Sequence, residues 1–207
     1  MNNKTQIPGW LQAEWLRPGW TLGLFAVATI FLLALTYDGT RDRIAAQERA
    51  RLEASLKELL VPGSYDNDPV EDIRYLQNEN KQLTVYRARL SQQPVTALIK
   101  TAAPDGYNGS ISLLIGIRND GDLSGVRVIT HRETPGLGDE IELRRSDWLL
   151  GFNDRSLNNP SKELWAVKKD GGIFDAFTGA TITPRAVVGE IKRTLIYFND
   201  HRDELFE

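Results

Sequence analysis

Near its N-terminus, the chain of 207 residues carries an apolar run at 20–37 that contains no charged residue. A run of this length is enough to cross the hydrocarbon core of a bilayer as a helix. Trp20 and Tyr37 bound it, and amphipathic aromatic side chains settle at the level of the lipid headgroups. A cleaved signal peptide is the alternative, but the run is long for one and no convincing small-x-small cleavage site follows. We therefore predict a retained transmembrane helix at 19–37 after a short N-terminal segment at 1–18.

The charges that flank this run bear on its orientation. Two basic residues precede it and four follow it closely: Lys4, Arg17, Arg41, Arg43, Arg49 and Arg51. Basic residues next to a span favour the cytoplasmic side of the membrane. Charge alone therefore favours a C-terminal domain inside the cell, or leaves the orientation open.

A charged segment with helical periodicity follows the apolar run. Its apolar residues recur at roughly helical spacing, at Ile44, Leu52, Leu56, Leu59 and Leu60. Pro62 and Gly63 then supply a stop signal. We predict a stalk helix at 38–63, which is either a solvated spacer that packs lightly on its own domain or an interaction helix for a neighbouring subunit. The residues at 64–207 are predicted to form one globular domain.

From about residue 72 onwards, the pattern changes to short runs that are rich in strand-forming residues. These runs lie at 83–90, 95–101, 110–117 and 123–130. The last two flank a polar turn with Asn, Asp and Gly, so they are predicted to pair as a hairpin. Their apolar residues are dense enough for strands that are buried on one face and partly covered on the other.

A final amphipathic helix is predicted at 184–205. Its apolar face consists of Ala186, Val187, Ile191, Leu195 and Phe198. Together with the strand runs, this helix indicates the α+β class, with an antiparallel sheet covered by helices.

Composition excludes several classes of function. The formal net charge of -3 gives no electrostatic case for nucleic acid, which usually requires clustered basic residues. The chain has no cysteine, so disulfides, zinc–thiolate sites, iron–sulfur clusters and cysteine nucleophiles are excluded. His131 and His201 are its only histidines, which are too few for a histidine-rich metal site, and no bound metal is predicted.

The segment DAFTGATITP places three hydroxyl side chains around a small Gly-Ala pair. Thr183 is predicted to cap a helix that begins at Pro184, because proline at the first helical position loses no hydrogen bond. The start of a helix presents unpaired N–H groups and partial positive charge, which favour a phosphate. Thr181, beside the unhindered Gly179 and Ala180, is then a hydroxyl that a ligand or a modifying enzyme can reach. The alternative is that these threonines only cap the helix and form the turn.

Four segments stand in a characteristic order: GYNGSISLLIGI at 106–117, HRETPGLGD at 131–139, WAVKKDGG at 165–172 and DAFTGATITP at 175–184. Together they resemble the FMN-binding domain family. With one N-terminal span and this length, the chain is similar to the G subunits of Rnf (Rsx) ion-translocating electron-transport complexes. The related C subunits of the sodium-pumping NADH:quinone reductase are the nearest alternative, but they tend to be longer.

The resemblance implies one FMN per chain, joined through its phosphate to the hydroxyl of Thr181, the last residue of the family's S/T-G-A-T motif. Thr178 occupies the first position, followed by Gly179 and Ala180. In the family, a separate flavin transferase uses FAD and magnesium to make this phosphoester bond outside the cytoplasm. Asp175 matches the acidic start of the motif, which implies a role in transferase recognition or in shaping the turn. A simple turn carboxylate is the alternative.

The resemblance also implies that the loop ETPGLG, which ends at Gly138, meets the flavin ring. Proline and two glycines fix a tight backbone path against a flat ligand. Leu137 is expected to pack on the ring face and Thr134 to hydrogen-bond a ring heteroatom, while Glu133 orients the loop. The alternative is an ordered loop that only leaves the hairpin.

Two lysines and two tryptophans are further candidates. Lys169 or Lys168 is expected to approach the phosphate or the N1 side of a reduced flavin and to stabilise negative charge there. A solvated surface lysine is the alternative for each. Trp148 and Trp165 either stack on the ring or pack in the core, which is the default for tryptophan.

By this resemblance, the chain is an electron-carrying subunit of a membrane complex and has no independent catalytic activity. The flavin accepts and passes electrons, other subunits move the ions, and no residue here acts as an acid–base catalyst. The family places the flavin domain on the periplasmic side of the bacterial inner membrane, and we adopt that orientation against the charge count. The resemblance therefore implies that the short N-terminus at 1–18 is cytoplasmic. The alternatives are a membrane-anchored assembly or binding module without flavin, and a stand-alone extracytoplasmic reductase with a soluble acceptor.

Overall fold

The first element of the structure is a single long helix. The computed structural model describes residues 17–78 and 81–207. Helix α1 (Arg17–Leu59) contains one stretch that is long and apolar enough to cross a membrane, and the large apolar side chains of this stretch are exposed, as lipid-facing side chains are. The predicted apolar helix is therefore present. The N-terminus predicted at 1–18 lies, except for its last two residues, outside the described residues.

Threonine hydroxyls in the apolar part of α1 are satisfied by the helix itself. Thr29 Oγ1 donates to the carbonyl of Phe25 at 2.8 Å, and Thr36 Oγ1 donates to that of Leu32 at 2.7 Å. An unpaired hydroxyl in hydrocarbon is costly, so these bonds make both threonines compatible with a lipid environment.

The chain divides between Arg49 and Ala50 into two compact units. The last turns of α1 belong to the second unit, where Leu56 and Leu59 are buried in a cluster on one face of a sheet. Leu60, just after the helix, belongs to the same cluster. The apolar residues at the end of the predicted stalk segment therefore contribute to the core of the domain that follows.

The second unit is built on a five-stranded antiparallel sheet whose strands lie side by side in chain order. The strands are β1 (Ile73–Asn78), β2 (Lys81–Leu90), β3 (Gln93–Ala103), β4 (Ile111–Arg118) and β5 (Leu123–Thr130). The predicted antiparallel sheet and the hairpin of β4 with β5 are confirmed. Strand β1 is not among the predicted runs, because polar residues interrupt its apolar pattern and it lies at the edge of the sheet.

Both faces of the sheet are covered. On one face, Ile99 lies opposite Ile115, and both belong to the main core shared with helix α2 (Ile182–Asp200). On the other face, Leu98 and Leu114 pack in the cluster that includes the end of α1. Burial on both faces explains why strand β4 is apolar along most of its length.

Helix α2 supplies the predicted apolar face, and all five residues expected on that face are buried. The sequence predicts one helix at 184–205, whereas the structure has α2 followed, after His201, by the short helix α3 (Arg202–Phe206). Phe206 is buried near Phe198, so α3 folds back on the same core.

The predicted start of this helix is wrong. Helix α2 begins two residues before Pro184, and Thr183 lies in its first turn instead of at the cap position. Proline fits there because the N–H groups of the first turn have no partner within a helix. The cap position is occupied by Thr181, whose side chain makes no capping hydrogen bond.

Between β5 and α2, the chain is irregular and is held by aromatic packing. It contains 3-10 turns at Gly138–Ile141, Trp148–Phe152, Lys162–Leu164 and Lys168–Asp170. The ring of Phe152 lies 4.6 Å from that of Phe174 and 6.2 Å from that of Trp165, measured between centroids. Burial of large rings anchors these turns to the sheet and fixes the loops that they connect.

Candidate functional site

A cavity of about 250 Å³ is lined by the loop after β5, the loop before β4 and the start of α2. Seven of its lining residues are among those predicted to hold a cofactor: Glu133, Thr134, Leu137, Gly138, Gly179, Ala180 and Thr181. Tyr107, Ile182 and Thr183 complete the lining. The fold therefore brings the predicted loop and the predicted motif together in one concave site that mixes apolar side chains with a few polar groups.

The threonine motif forms a tight turn just before α2. The N–H of Ala180 donates to the carbonyl of Phe177 at 3.2 Å, and Gly179 between them has a φ of 80°. A positive φ is easy for glycine and strained for other residues, which explains the glycine of the motif. The turn leaves Thr178 exposed and places the half-buried Thr181 on the cavity wall.

The hydroxyl of Thr181 is held by a cation. Lys169 Nζ donates to Thr181 Oγ1 at 2.8 Å from the 3-10 turn before the motif. The neighbouring Lys168 Nζ lies 2.5 Å from Asp175 Oδ1 at the start of the motif. Lys168 therefore contacts the start of the motif at Asp175, and Lys169 contacts its end at Thr181. Of these two partners, Thr181 lines the cavity.

The loop after β5 presents Leu137 to the cavity. The carbonyl of Thr134 accepts hydrogen bonds from the N–H groups of Leu137 and Gly138, each at 3.1 Å. Gly136 has a φ of 78°, and its N–H donates to Asp139 Oδ1 at 2.7 Å. These bonds close a tight loop, and the Leu137 side chain remains 44% exposed at its tip.

Glu133 lies beneath this loop, and its side chain is buried. Its Oε1 accepts a hydrogen bond from the N–H of Asn108 at 3.0 Å, and its Oε2 accepts one from Thr183 Oγ1. A Cβ at Gly138 would come within 2.9 Å of this side chain, so glycine is required there by close approach. Glu133 thus connects three segments of the cavity wall, which extends its predicted role of orienting the loop.

The backbone of Glu133 is positioned by a chain of side chains that the sequence does not predict. Its N–H donates to His131 Nδ1 at 3.1 Å, so the proton of a neutral His131 is on Nε2, which lies 2.7 Å from Glu142 Oε1. Hydrogen bonds, first from Arg144 and then from His131, lower the pKa of Glu142, although burial opposes them. An ionised Glu142 therefore fixes the imidazole that holds the start of the loop.

The tryptophans pack beside the site and do not line it. Trp148 Nε1 donates to the carbonyl of Asp175 at 2.9 Å, and its ring meets that of Phe177 edge-on at 5.1 Å. Trp165 is buried in the core, and its Nε1 donates to Ser156 O. The default of core packing applies to both, and Trp148 also supports the start of the motif.

Sequence reasoning missed Tyr107 and Ile182 as cavity residues. Tyr107 is 68% exposed and follows Gly106, whose Cβ, if present, would lie 2.2 Å from the carbonyl oxygen of Gly109. An aromatic residue inside a glycine-rich polar loop is a signal that could have identified Tyr107, because such a residue has no role in a core. No comparable signal marks Ile182.

Comparisons with known proteins bear on this site and on α1. A family model described as the FMN-binding domain matches residues 106–196, and one described as the RnfG N-terminal region matches residues 12–59. The chain is 49% identical to a protein of Pseudoalteromonas atlantica over 91% of this chain and 90% of the relative. It is 47% identical to a protein of Pseudomonas aeruginosa (92% and 91%) and 45% identical to one of Vibrio cholerae (90% and 91%).

The residues that line the cavity, the threonine motif and strands β4 and β5 lie within the match at 106–196, so the second unit contains an FMN-binding domain. Each of the three relatives is named as the G subunit of an ion-translocating oxidoreductase complex. At this identity and coverage, the chain belongs to the family of these G subunits. The resemblance inferred from the four sequence segments is confirmed.

Proposed function

We propose that this chain is an electron-transfer subunit of a membrane-bound complex that couples redox reactions to ion translocation, and that it carries one FMN as a phosphoester of Thr181. The observation that carries the proposal is the position of Thr181. Thr181 lines the cavity at the end of the motif turn, and its Oγ1 accepts a hydrogen bond from the Lys169 side chain. Family membership supports the cofactor and the assembly with other subunits.

The residues of the cavity fit FMN in chemical kind. An anionic phosphate suits the Thr181 hydroxyl and the Lys169 ammonium, with the turn of Thr178, Gly179 and Ala180 beside them. Apolar contact for a flat ring is available from Leu137 on the loop after β5 and from Tyr107 on the loop before β4.

Polar contact for the ring comes from the other side chains of the predicted loop. Thr134 offers a hydroxyl at the cavity wall, while Glu133 and the required glycine at Gly138 fix the backbone that carries it. When bound, FMN supplies the one- and two-electron chemistry, and the chain supplies attachment, position and environment.

The described part of the chain offers no route for an ion through the membrane. The apolar stretch of α1 at 20–37 has no ionisable acid or base other than Tyr37 at its end. Ion pathways in membranes are built from polar and ionisable groups that face a protein interior. In this proposal, translocation therefore belongs to other subunits, and this chain anchors its flavin domain at the membrane.

The attachment of FMN is tested by intact-mass analysis and by flavin fluorescence on a denaturing gel. The full chain is co-expressed in membranes with a flavin transferase, next to Thr181→Ala and the matched control Thr178→Ser, which keeps the S/T-G-A-T motif. We expect the wild type and Thr178→Ser to carry the mass of FMN less water, and Thr181→Ala to lack it. If the wild type is unmodified, a membrane-anchored binding module without flavin replaces this proposal.

The place of the chain in a complex is tested by purification from native membranes under mild conditions. We expect it to co-purify with polytopic membrane proteins and with a subunit that oxidises NADH or ferredoxin. A flavin-loaded chain that purifies alone, and that reduces a soluble acceptor, would instead favour a stand-alone reductase.

The orientation that we propose puts the flavin domain in the periplasm, anchored in the inner membrane. The exposed arginines after the span argue for the opposite side by the charge rule, so the orientation needs a direct test. Because the chain has no cysteine, Gln77→Cys on an exposed edge position gives a single label site. We expect a membrane-impermeant maleimide to label it in spheroplasts, whereas labelling only after lysis would reverse the orientation.

A further inference from the structure

Lys168 and Lys169 are adjacent in the sequence but contact different partners, Asp175 and Thr181. Lys169 lies in the 3-10 turn Lys168–Asp170, which ends at Gly171 with a φ of 84°. From this turn, its Nζ donates to Thr181 Oγ1 at 2.8 Å. The turn therefore places the side chain of Lys169 against the hydroxyl of Thr181, which is the proposed site of attachment.

The two carboxylates next to Lys169 in the segment form salt bridges with other cations, although the charge of Lys169 also acts on Asp170. Asp175 pairs with Lys168 at 2.5 Å. Asp170 receives two hydrogen bonds from Arg185, at 2.6 and 2.8 Å, and the pKa of Asp170 is lowered first of all by this contact. In the part of the chain that the structure describes, no carboxylate forms a salt bridge with Lys169. Its charge is therefore available to an anion bound at Thr181.

We propose that Lys169 is the positioning residue for phosphoester formation at Thr181, and that it then neutralises the phosphate. The proposal rests on the proposed function and assigns Lys169 to the phosphate side of the flavin instead of the N1 side of the ring. The Lys169 side chain donates in this contact, so it orients a lone pair of Thr181 Oγ1 and is not the base that removes the proton. A phosphate oxygen in the same place receives a charge-assisted hydrogen bond.

The attachment step balances without any redox change. With a flavin dinucleotide as donor, the bond between Thr181 Oγ1 and the flavin-side phosphorus forms, and the bond from that phosphorus to the bridging oxygen breaks. The nucleoside monophosphate leaves with the electron pair, and the hydroxyl proton passes to a base of the transferase. Lys169 acts on both sides of this step, first on the attacking oxygen and then on the negative charge of the diester.

The test measures the initial rate of covalent flavin incorporation into the full chain in membranes at limiting transferase. Lys169→Gln removes the charge, Lys169→Arg keeps it, and Lys162→Gln is a matched control on another exposed 3-10 turn. The midpoint potential of the attached flavin is the second measurement. Thermal unfolding shows that each variant is folded, which we expect because Lys169 is exposed.

We expect Lys169→Gln to lower the rate about tenfold, the effect of losing one charged hydrogen bond. Lys169→Arg should recover most of that loss, and Lys162→Gln should match the wild type. Equal rates for Lys169→Gln and Lys162→Gln would overturn the proposal. A Lys169→Gln variant with an unchanged rate but a shifted midpoint potential would also overturn it, because that result would place the ammonium at the flavin ring. If the wild-type chain carries no flavin, this proposal and the proposed function both fail. If the wild-type chain carries flavin, a failure of the Lys169 variants to differ from the control refutes only the role of Lys169.

Discussion

Thr183 Oγ1 donates a hydrogen bond to Glu133 Oε2 beneath the candidate flavin cavity. Both side chains are buried, and they lie on different elements, the first turn of α2 and the loop after β5. The contact thus joins the two segments that the family resemblance treats as separate motifs. Its loss would weaken the connection between the start of α2, which follows Thr181, the proposed attachment site, and the loop expected to meet the ring.

Thr183→Val tests this connection. Valine keeps the shape of threonine but leaves Glu133 Oε2 without its buried donor, so we expect the free energy of unfolding to fall by about 1–3 kcal/mol. Urea unfolding of the full chain in detergent, followed by tryptophan fluorescence, measures the change. The exposed Thr178→Val is the control, with no loss expected. Equal stability of both variants would mean that the Thr183 hydroxyl contributes nothing to the wall of the cavity.

Gly138→Ala tests close packing at the same point. An added Cβ would lie 2.9 Å from atoms of Glu133 and from Thr183 Oγ1, all of them buried. We expect a cost of about 1–3 kcal/mol, typical of overpacking, and a lower yield of attached flavin. Gly151→Ala is the control, because nothing lies within 4 Å of its added Cβ. A Gly138 variant as stable as this control would show that the loop can move away without loss.

Glu142→Gln should change the acid sensitivity of the domain. The hydrogen bonds from Arg144 and His131 hold the pKa of Glu142 below its ordinary value of 4.5 in the folded state. A lowered folded-state pKa gives stability that is complete above 4.5 and is lost as the pH falls through the lower value. We therefore expect the wild type to exceed the variant in unfolding midpoint at pH 7, with a gap that narrows as the pH falls below 4.5. A gap that stays constant over this range would contradict the assignment.

The sequence predicted those parts of the fold that depend on local periodicity. Paired strands and the buried face of α2 follow from the spacing of apolar residues, and the structure confirms them. The cap rule failed at Thr183 because its hydroxyl has a partner 50 residues earlier in the chain, the Glu133 carboxylate, which local sequence does not reveal. Strand β1 escaped detection because an edge strand needs little apolar alternation.

In the candidate site too, local sequence predicts some features and the tertiary fold determines the others. Contiguous motifs identified Thr181 and Leu137, and both line the cavity. The sequence could not distinguish the role of Lys168 from that of Lys169. The 3-10 turn that contains both directs Lys168 to Asp175 and Lys169 to Thr181. Adjacent residues of the same type acquire different roles from backbone geometry, which depends on the tertiary fold.

Asp72→Ala tests the anchoring of the C-terminus far from the cavity. Asp72 Oδ1 accepts from Arg87 Nε at 2.6 Å and Oδ2 from Arg89 Nε at 3.0 Å, while Arg89 also donates to the carbonyl of Phe206 in α3. Removing the carboxylate leaves two largely buried guanidinium groups without their counter-ion, so we expect a loss of about 3 kcal/mol in urea unfolding. The adjacent exposed Glu71→Ala is the control, and a loss of similar size there would argue against the network.

Tyr107→Ala tests the cavity residue that the sequence did not single out. Tyr107 is 68% exposed, so its removal should leave the unfolding free energy within about 0.5 kcal/mol of the wild type. Because it lines the cavity, we expect the fluorescence yield and absorption maxima of attached FMN to change when the aromatic contact is lost. Tyr75→Ala is the matched control, since Tyr75 is 64% exposed on β1 and is not part of the lining. If the two variants gave the same flavin spectrum, Tyr107 would have no contact with the ring, and Leu137 would remain the aliphatic candidate for that contact.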